Sequence, residues 1–200
     1  VTALDTNGFF MQTPDARDDN NPNTSNGLFV YIDDNPLPAV GDEVDVDGPL
    51  VEYFGLTEFS FANVTVISSS NNLPTPILLN DNFPPNDPTV APCSTNIETH
   101  KYECLEGMHF DMPQGFISAA SSGNSVFPGA NGDDVLVRAG TTRAFREPGI
   151  DFPGDVNLPN SPIFDGNPEI LEMDIDSLTL PLTKYSGGSE VSIKGVFGFE

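Results

Sequence analysis

The chain has 200 residues, enough for one large domain or two small ones, and no apolar run approaches the ~18 residues of a membrane span. Thirty Asp and Glu against seven Lys and Arg give a formal charge of −23, which repels nucleic-acid phosphates at long range and suits calcium, basic partners or a salty medium. Simple solubility accounts for the same acidity. With 18 Gly, 19 Pro, 15 Phe and no Trp, the composition predicts an all-β chain with long loops.

In chain order, "VTAL" and "GFFMQT" predict two short strands around a turn at Thr6-Asn7-Gly8. The polar loop "PDARDDNNPNTSNG" follows. "LFVYI" predicts a strand with Phe29 and Tyr31 on one face and Val30 and Ile32 on the other. "EVDVDGPLVEYFG" predicts a long strand interrupted at Gly48-Pro49 by a bulge or sharp bend. "LTEFSF" and "NVTVIS" bring the count to five or six strands by Ser68, which suggests a small barrel of the OB type over 1–70. Residues 71–97 are a Pro- and Asn-rich linker in which "LPTPILL" docks on a flanking domain.

The second half, 98–200, predicts strands at "YECLEGMHFDM", "GFISAA", "DDVLVRAG", "EILEMDI" and "SEVSIKGVFGFE", with a long loop between the third and fourth. "GDEVDVDGPLVEY" (41–53) aligns with "GSEVSIKGVFGFE" (188–200). Gly41 meets Gly188, Glu43 meets Glu190 and Gly48 meets Gly195, while Asp45 and Asp47 meet Ser192 and Lys194. Two OB-like small β-barrels joined by the Pro/Asn-rich connection are therefore expected, the second with a long loop insertion and an incomplete last strand. The chain starts at Val1 with neither Met nor a signal peptide and stops inside an apolar pattern, so a trimmed piece of a secreted protein is expected.

Several groups of residues can carry chemistry. Cys93 and Cys104, ten residues apart in a Pro-rich connection, read as one disulfide in an oxidising compartment; His100 and His109 give no zinc spacing. Glu43, Asp45 and Asp47 with Gly48 imitate the start of an EF-hand, but position twelve falls on Phe54 where a bidentate Glu is needed. Asp15, Asp18, Asp19, Asn20 and Asn23 offer hard oxygen donors in one turn-rich loop, a candidate calcium site or a plain solvated loop. Asp174 and Asp176 are a weaker pair of the same kind. Arg143 and Arg146 either hold a phosphate or pin their long loop to carboxylates such as Glu147 and Asp151. Phe29, Tyr31, Tyr53, Phe54, Phe59 and Phe61 are aromatics of the first barrel. Base stacking on them would need a basic groove, and the first hundred residues contain one basic residue, Arg17, so core packing is the favoured reading for most of them. No G-x-S-x-G, H-E-x-x-H or P-loop pattern is present, and the segment reads as non-catalytic.

The stretches "VTALDTNGFFMQTPD", "TSNGLFVYIDD", "VGDEVDVDGPLVEYFGLTEF" and "LPTPILL" resemble the OB-like N-terminal region of large secreted bacterial nucleases with an endonuclease/exonuclease/phosphatase catalytic domain further along the chain. "YECLEGM", "TRAFREPGIDFPG" and "PIFDGNPEILEMD" look like the region after that module. The resemblance implies secretion, DNA or RNA hydrolysis by the parent chain and a divalent metal such as calcium or magnesium. Nothing matches the family's catalytic Glu, Asp, Asn and His motifs, so no catalytic residue is carried over. The expectation is a non-catalytic accessory region that positions the downstream catalytic domain or a nucleic-acid substrate. The rival is a secreted structural or adhesive module that self-associates by strand completion between chains.

Overall fold

The computed structural model describes residues 1–32, 36–84, 102–118, 135–141, 169–174 and 186–198. The chain is nearly all β, as its composition predicts. Contacts divide it into two compact units. The first takes the described residues of 1–78, 92–111 and 194–200, and the second those of 79–91 and 112–193.

In the first unit, β1 (Ala3–Asp5) and β2 (Gly8–Gln12) form a hairpin about Thr6-Asn7, with Asp5 opposite Gly8. β2 pairs antiparallel with β3 (Gly27–Tyr31). The predicted long strand is present in two pieces, β4 (Glu43–Asp47) and β5 (Leu50–Tyr53), separated at Gly48-Pro49. Together with β6 (Leu56–Phe59) and β7 (Asn63–Ser68) they make one long hairpin. β5 pairs β6 around the tip, and β4 pairs β7 at the base. The register slips by one residue across the break, since Leu50 faces Phe59 but Asp47 faces Asn63, which is the signature of a bulge. A Cβ at Gly48 would sit 3.0 Å from Ala62 Cα, so glycine lets the two arms approach there.

The break sends the two halves of the hairpin to different sheets. The tip half joins a five-stranded sheet of order β1-β2-β3-β6-β5 through a parallel β3–β6 pair, while β4 and β7 form a sheet of their own. Both sheets feed one core of Phe9, Val30, Ile32 and Ala62, with Met11, Val44, Val46, Phe59 and Val64 packed around it. Val30 and Ile32 do share the core face as their alternation predicts. Among the described residues the sheets are not closed into barrels.

Residues expected to be strand at "YECLEGM" instead make a 3-10 turn, Glu103–Leu105. The cause is a tight backbone crossing. Gly107 has φ +69°, and a Cβ there would meet the Leu28 nitrogen at 2.6 Å. The Ser25 hydroxyl donates to the Glu106 carbonyl beside it. The two strands expected at "HFDM" and "GFISAA" are one strand, β9 (His109–Ile117), which carries Pro113 at an exposed position. The linker's Ile77–Leu78 forms β8, parallel to the start of β9.

In the second unit, β10 (Val135–Ala139) pairs β9 and β11 (Ile170–Met173), burying Met112, Ile117, Val135 and Val137. β12 (Glu190–Val196) lies next to β9 in the same sheet order. The predicted repeat holds at its start, where Gly41 and Gly188 have φ +89° and +85° and Glu43 and Glu190 each open a strand, but not at its glycine break: Gly48 separates β4 from β5, whereas Gly195 lies inside β12.

Candidate functional site

The loop proposed for calcium is stitched by its own side chains. The two carboxylate oxygens of Asp15 reach out of the loop to accept the Thr75 hydroxyl at 2.6 Å and the Thr75 amide at 2.9 Å, and these bonds hold its pKa below the usual carboxylate range. Asp18 accepts the Asn20 amide at 2.7 Å, and Asp19 accepts the Asn21 amide at 2.9 Å, both Asx turns. The Asn20 side-chain amide donates to the Asp18 carbonyl, and the Asn23 amide donates to the Asn21 side chain. Among the described residues no group of three or more His, Cys, Asp or Glu gathers to hold an ion. Asp45 and Asp47 are exposed on β4, while Glu43 is taken up by Arg17 at 2.9 Å and Ser68 at 3.1 Å. Cys104 is buried, and no described cysteine is a free thiol; Cys93, His100, Arg143, Arg146, Glu147, Asp151 and Asp176 lie outside the described residues.

A cleft of about 800 Å³ opens beside this loop, lined by apolar Met11, Leu28 and Val44 and by polar Gln12, Asn26 and Asn71. Gln12 accepts the His109 amide at 3.0 Å and faces His109 Nδ1 at 2.9 Å. Burial lowers the pKa of that imidazole, against the pull of the Asp15 and Asp111 carboxylates. His109 is thus a half-buried scaffold residue at the start of β9 rather than a surface residue.

The tip of the long hairpin has a different character. Tyr53-Leu56 close it around Phe54 and Gly55, whose φ values of +49° and +87° are those of a two-residue primed turn. Such turns favour Asn or Gly first, and a bulky residue in the left-handed region costs about 1–2 kcal/mol. Phe54 nevertheless stands there, 79% exposed, with Tyr53 beside it edge-on at 4.7 Å. At the hairpin's break Phe61 repeats the pattern, with φ +51° and 67% exposure, edge-on to Tyr31 at 5.1 Å. Leu50, Val51 and Tyr53 are all exposed on β5, the last strand of its sheet.

Of the six aromatics expected in the core, Phe59 packs against it. Phe29 is buried on the opposite sheet face against Phe10, and the other four are not part of the core. On that opposite face the register places Phe10, Phe29, Glu58 and Val51 in one row across β2, β3, β6 and β5. Glu58 is buried in this row, and desolvation raises its pKa against a bond from Ser60. Next to the tip, two more carboxylates bond Thr57. Glu52 accepts its hydroxyl at 2.7 Å and Glu106 its amide at 2.5 Å. Glu103 and Glu52 add to the desolvation that raises the Glu106 pKa.

Exposed aromatics on strained backbone, beside the exposed Glu52 carboxylate, make a surface suited to apolar contact and to positive charge. The signal was in the sequence: "YFG" between two alternating strands marks a two-residue turn and therefore an exposed Phe. Comparison with protein-family models, with curated proteins and with solved structures finds no match.

Proposed function

We propose that this chain is a non-catalytic accessory region of a secreted nuclease or phosphodiesterase, and that it positions the catalytic domain by protein–protein contact. The parentage rests on the sequence resemblance. The observation that carries the positioning role is the hairpin, where Tyr53 and Phe54 at the tip and Phe61 at the break are exposed and two of the three occupy left-handed backbone. A charge of −23 favours a protein contact over a nucleic-acid one. The test mixes the 200-residue chain with the separately produced catalytic domain of its parent nuclease. Binding by calorimetry, together with a changed rate of DNA hydrolysis, is expected. A single-stranded oligonucleotide at low salt, with and without calcium, is the control for direct substrate binding. Absence of binding to both partners removes the positioning role.

Secretion, a Cys93–Cys104 disulfide and calcium belong to the same proposal. Calcium takes six to eight oxygens, so a site built from half-buried Asp18 and exposed Asp19 with their neighbouring side-chain amide oxygens would be weak. Calorimetry on the native chain and on Asp18→Ala/Asp19→Ala tests it, and an unchanged heat removes the metal. A second reading, assembly into a polymer by strand completion between chains, is favoured by β1, which ends the described sheet order opposite β5. Sedimentation of the chain over a range of concentrations decides it.

A further inference from the structure

We propose that the β5 edge with its aromatic tip is the docking strip for an extended segment of another protein in which basic and apolar side chains alternate. The proposal deepens the reading of the hairpin as a recognition surface and does not depend on nuclease parentage. Among the described residues β5 is paired on one side by β6 and ends the sheet order, so its other side presents backbone donors and acceptors of the kind that strand addition uses.

The side chains fix the chemistry of the occupant. Along β5, Val51 and Tyr53 point to one face and Leu50 and Glu52 to the other. A strand laid on this edge also alternates. Its residues on the Val51–Tyr53 side meet an apolar surface that Phe54 extends at the tip. Its residues on the Glu52 side meet the Glu52 carboxylate, the one acidic side chain of the strand. Lysine or arginine there pairs with Glu52 and complements a chain whose formal charge is −23. A second copy of this chain is disfavoured, because it would bring another −23 and another Glu52 to the same edge. An anionic lipid surface is disfavoured on the same ground. Phe54 gives the strip its anchor: an exposed aromatic, on a backbone conformation that suits other residues better, serves contact rather than folding.

The probe is a labelled twelve-residue peptide alternating Lys with Val or Tyr, titrated with the whole 200-residue chain and read by fluorescence anisotropy. Saturable binding is expected, weakening on the order of tenfold between low and physiological salt. Phe54→Asn, which suits the turn, is expected to weaken it roughly tenfold or more with an unchanged circular dichroism spectrum, and Phe54→Trp to retain it. Methylating alternate backbone nitrogens of the peptide, so that its ladder bonds are lost, is expected to abolish binding. Equal affinity for a peptide with Glu in place of Lys overturns the proposal, as does insensitivity to Phe54→Asn. A Phe54-dependent dimer in sedimentation, or Phe54-dependent binding to phosphatidylcholine vesicles with no peptide binding, also overturns it.

Discussion

Replacing Phe54 by Asn should leave the fold as stable as before or slightly more so, although deleting a Phe from a protein core costs about 3–5 kcal/mol. The magnitude follows from the turn. Phe54 has φ +49°, in the region where L-residues pay about 1–2 kcal/mol and where Asn, with its short polar side chain, pays least after Gly. Asn before Gly55 is also the preferred pair for a two-residue primed turn. Against this gain stands the ring's contact with Tyr53 at 4.7 Å. With 79% of Phe54 exposed, about one fifth of a side chain is covered, which at about 25 cal/mol per Å² is roughly 1 kcal/mol. The two effects leave a net change within about 1 kcal/mol of zero, on the stabilising side. Phe54→Ala loses the ring without gaining Asn's tolerance of positive φ, so it should fall below both. Urea unfolding followed by far-ultraviolet circular dichroism, supported by tyrosine fluorescence since the chain has no Trp, gives the order Asn, then Phe, then Ala at constant m. A loss above about 2 kcal/mol for Phe54→Asn would refute the argument, because it would mean that the ring holds the fold together.

The pH profile carries a sign. Glu58 and Glu106 have folded pKa values above their ordinary ones through desolvation, so their contribution is fully present below the unfolded value of about 4.3 and is lost as pH rises through the folded value. Asp15 and Asp42 are lowered by hydrogen bonds, from Thr75 and from Ser69 and Ala39 respectively, so their contribution holds above about 3.9 and is lost as pH falls through their folded values. The glutamate contribution should therefore grow as pH falls toward about 4.3 and the aspartate contribution should disappear in stronger acid, while His109, whose pKa burial lowers, opposes the rise below about 6.5; Glu106→Gln, which keeps an acceptor for the Thr57 amide, should raise the melting temperature at pH 8 and weaken its dependence on pH. Gly107→Ala should cost more than about 2 kcal/mol in urea unfolding, since the added Cβ meets backbone at φ +69°, and a change below 0.5 kcal/mol would contradict the crossing against β3. Non-reducing mass spectrometry should find Cys93 joined to Cys104, and reduction should lower stability by about 3 kcal/mol.

Much of the architecture was legible where periodicity and turn chemistry agree. The β1–β2 turn, the core face of Val30 and Ile32 and the break at Gly48-Pro49 all follow from local pattern. The 3-10 turn at Glu103–Leu105 was not legible, because its cause is a backbone passing Leu28 some eighty positions away in sequence. Nor could alternation separate a core aromatic from an exposed one. Phe59 and Phe61 sit two apart and would share a face on a regular strand, but the positive φ of Phe61 breaks the alternation. The loop from Asp15 to Asn23 looked like a ligand set because composition counts oxygens. Which of those oxygens are already held by Thr75 or by neighbouring amides is decided by folding.

The broken hairpin links these observations. Its base half places Val44, Val46 and Val64 around the core, and that burial fixes the register of the pair. Its tip half is held by β6, through the parallel pair of Phe29 with Glu58 and Val30 with Phe59. A hairpin secured in this way at its base and along β6 does not need the side chains of β5 for packing, and all four of them are exposed. Phe54 and Phe61 can then occupy costly backbone without endangering the core, because the cost is local and the anchorage lies elsewhere. The bulge at Gly48-Pro49 therefore does more than interrupt a strand: it divides one hairpin into a half that folds the unit and a half whose side chains are left to solvent.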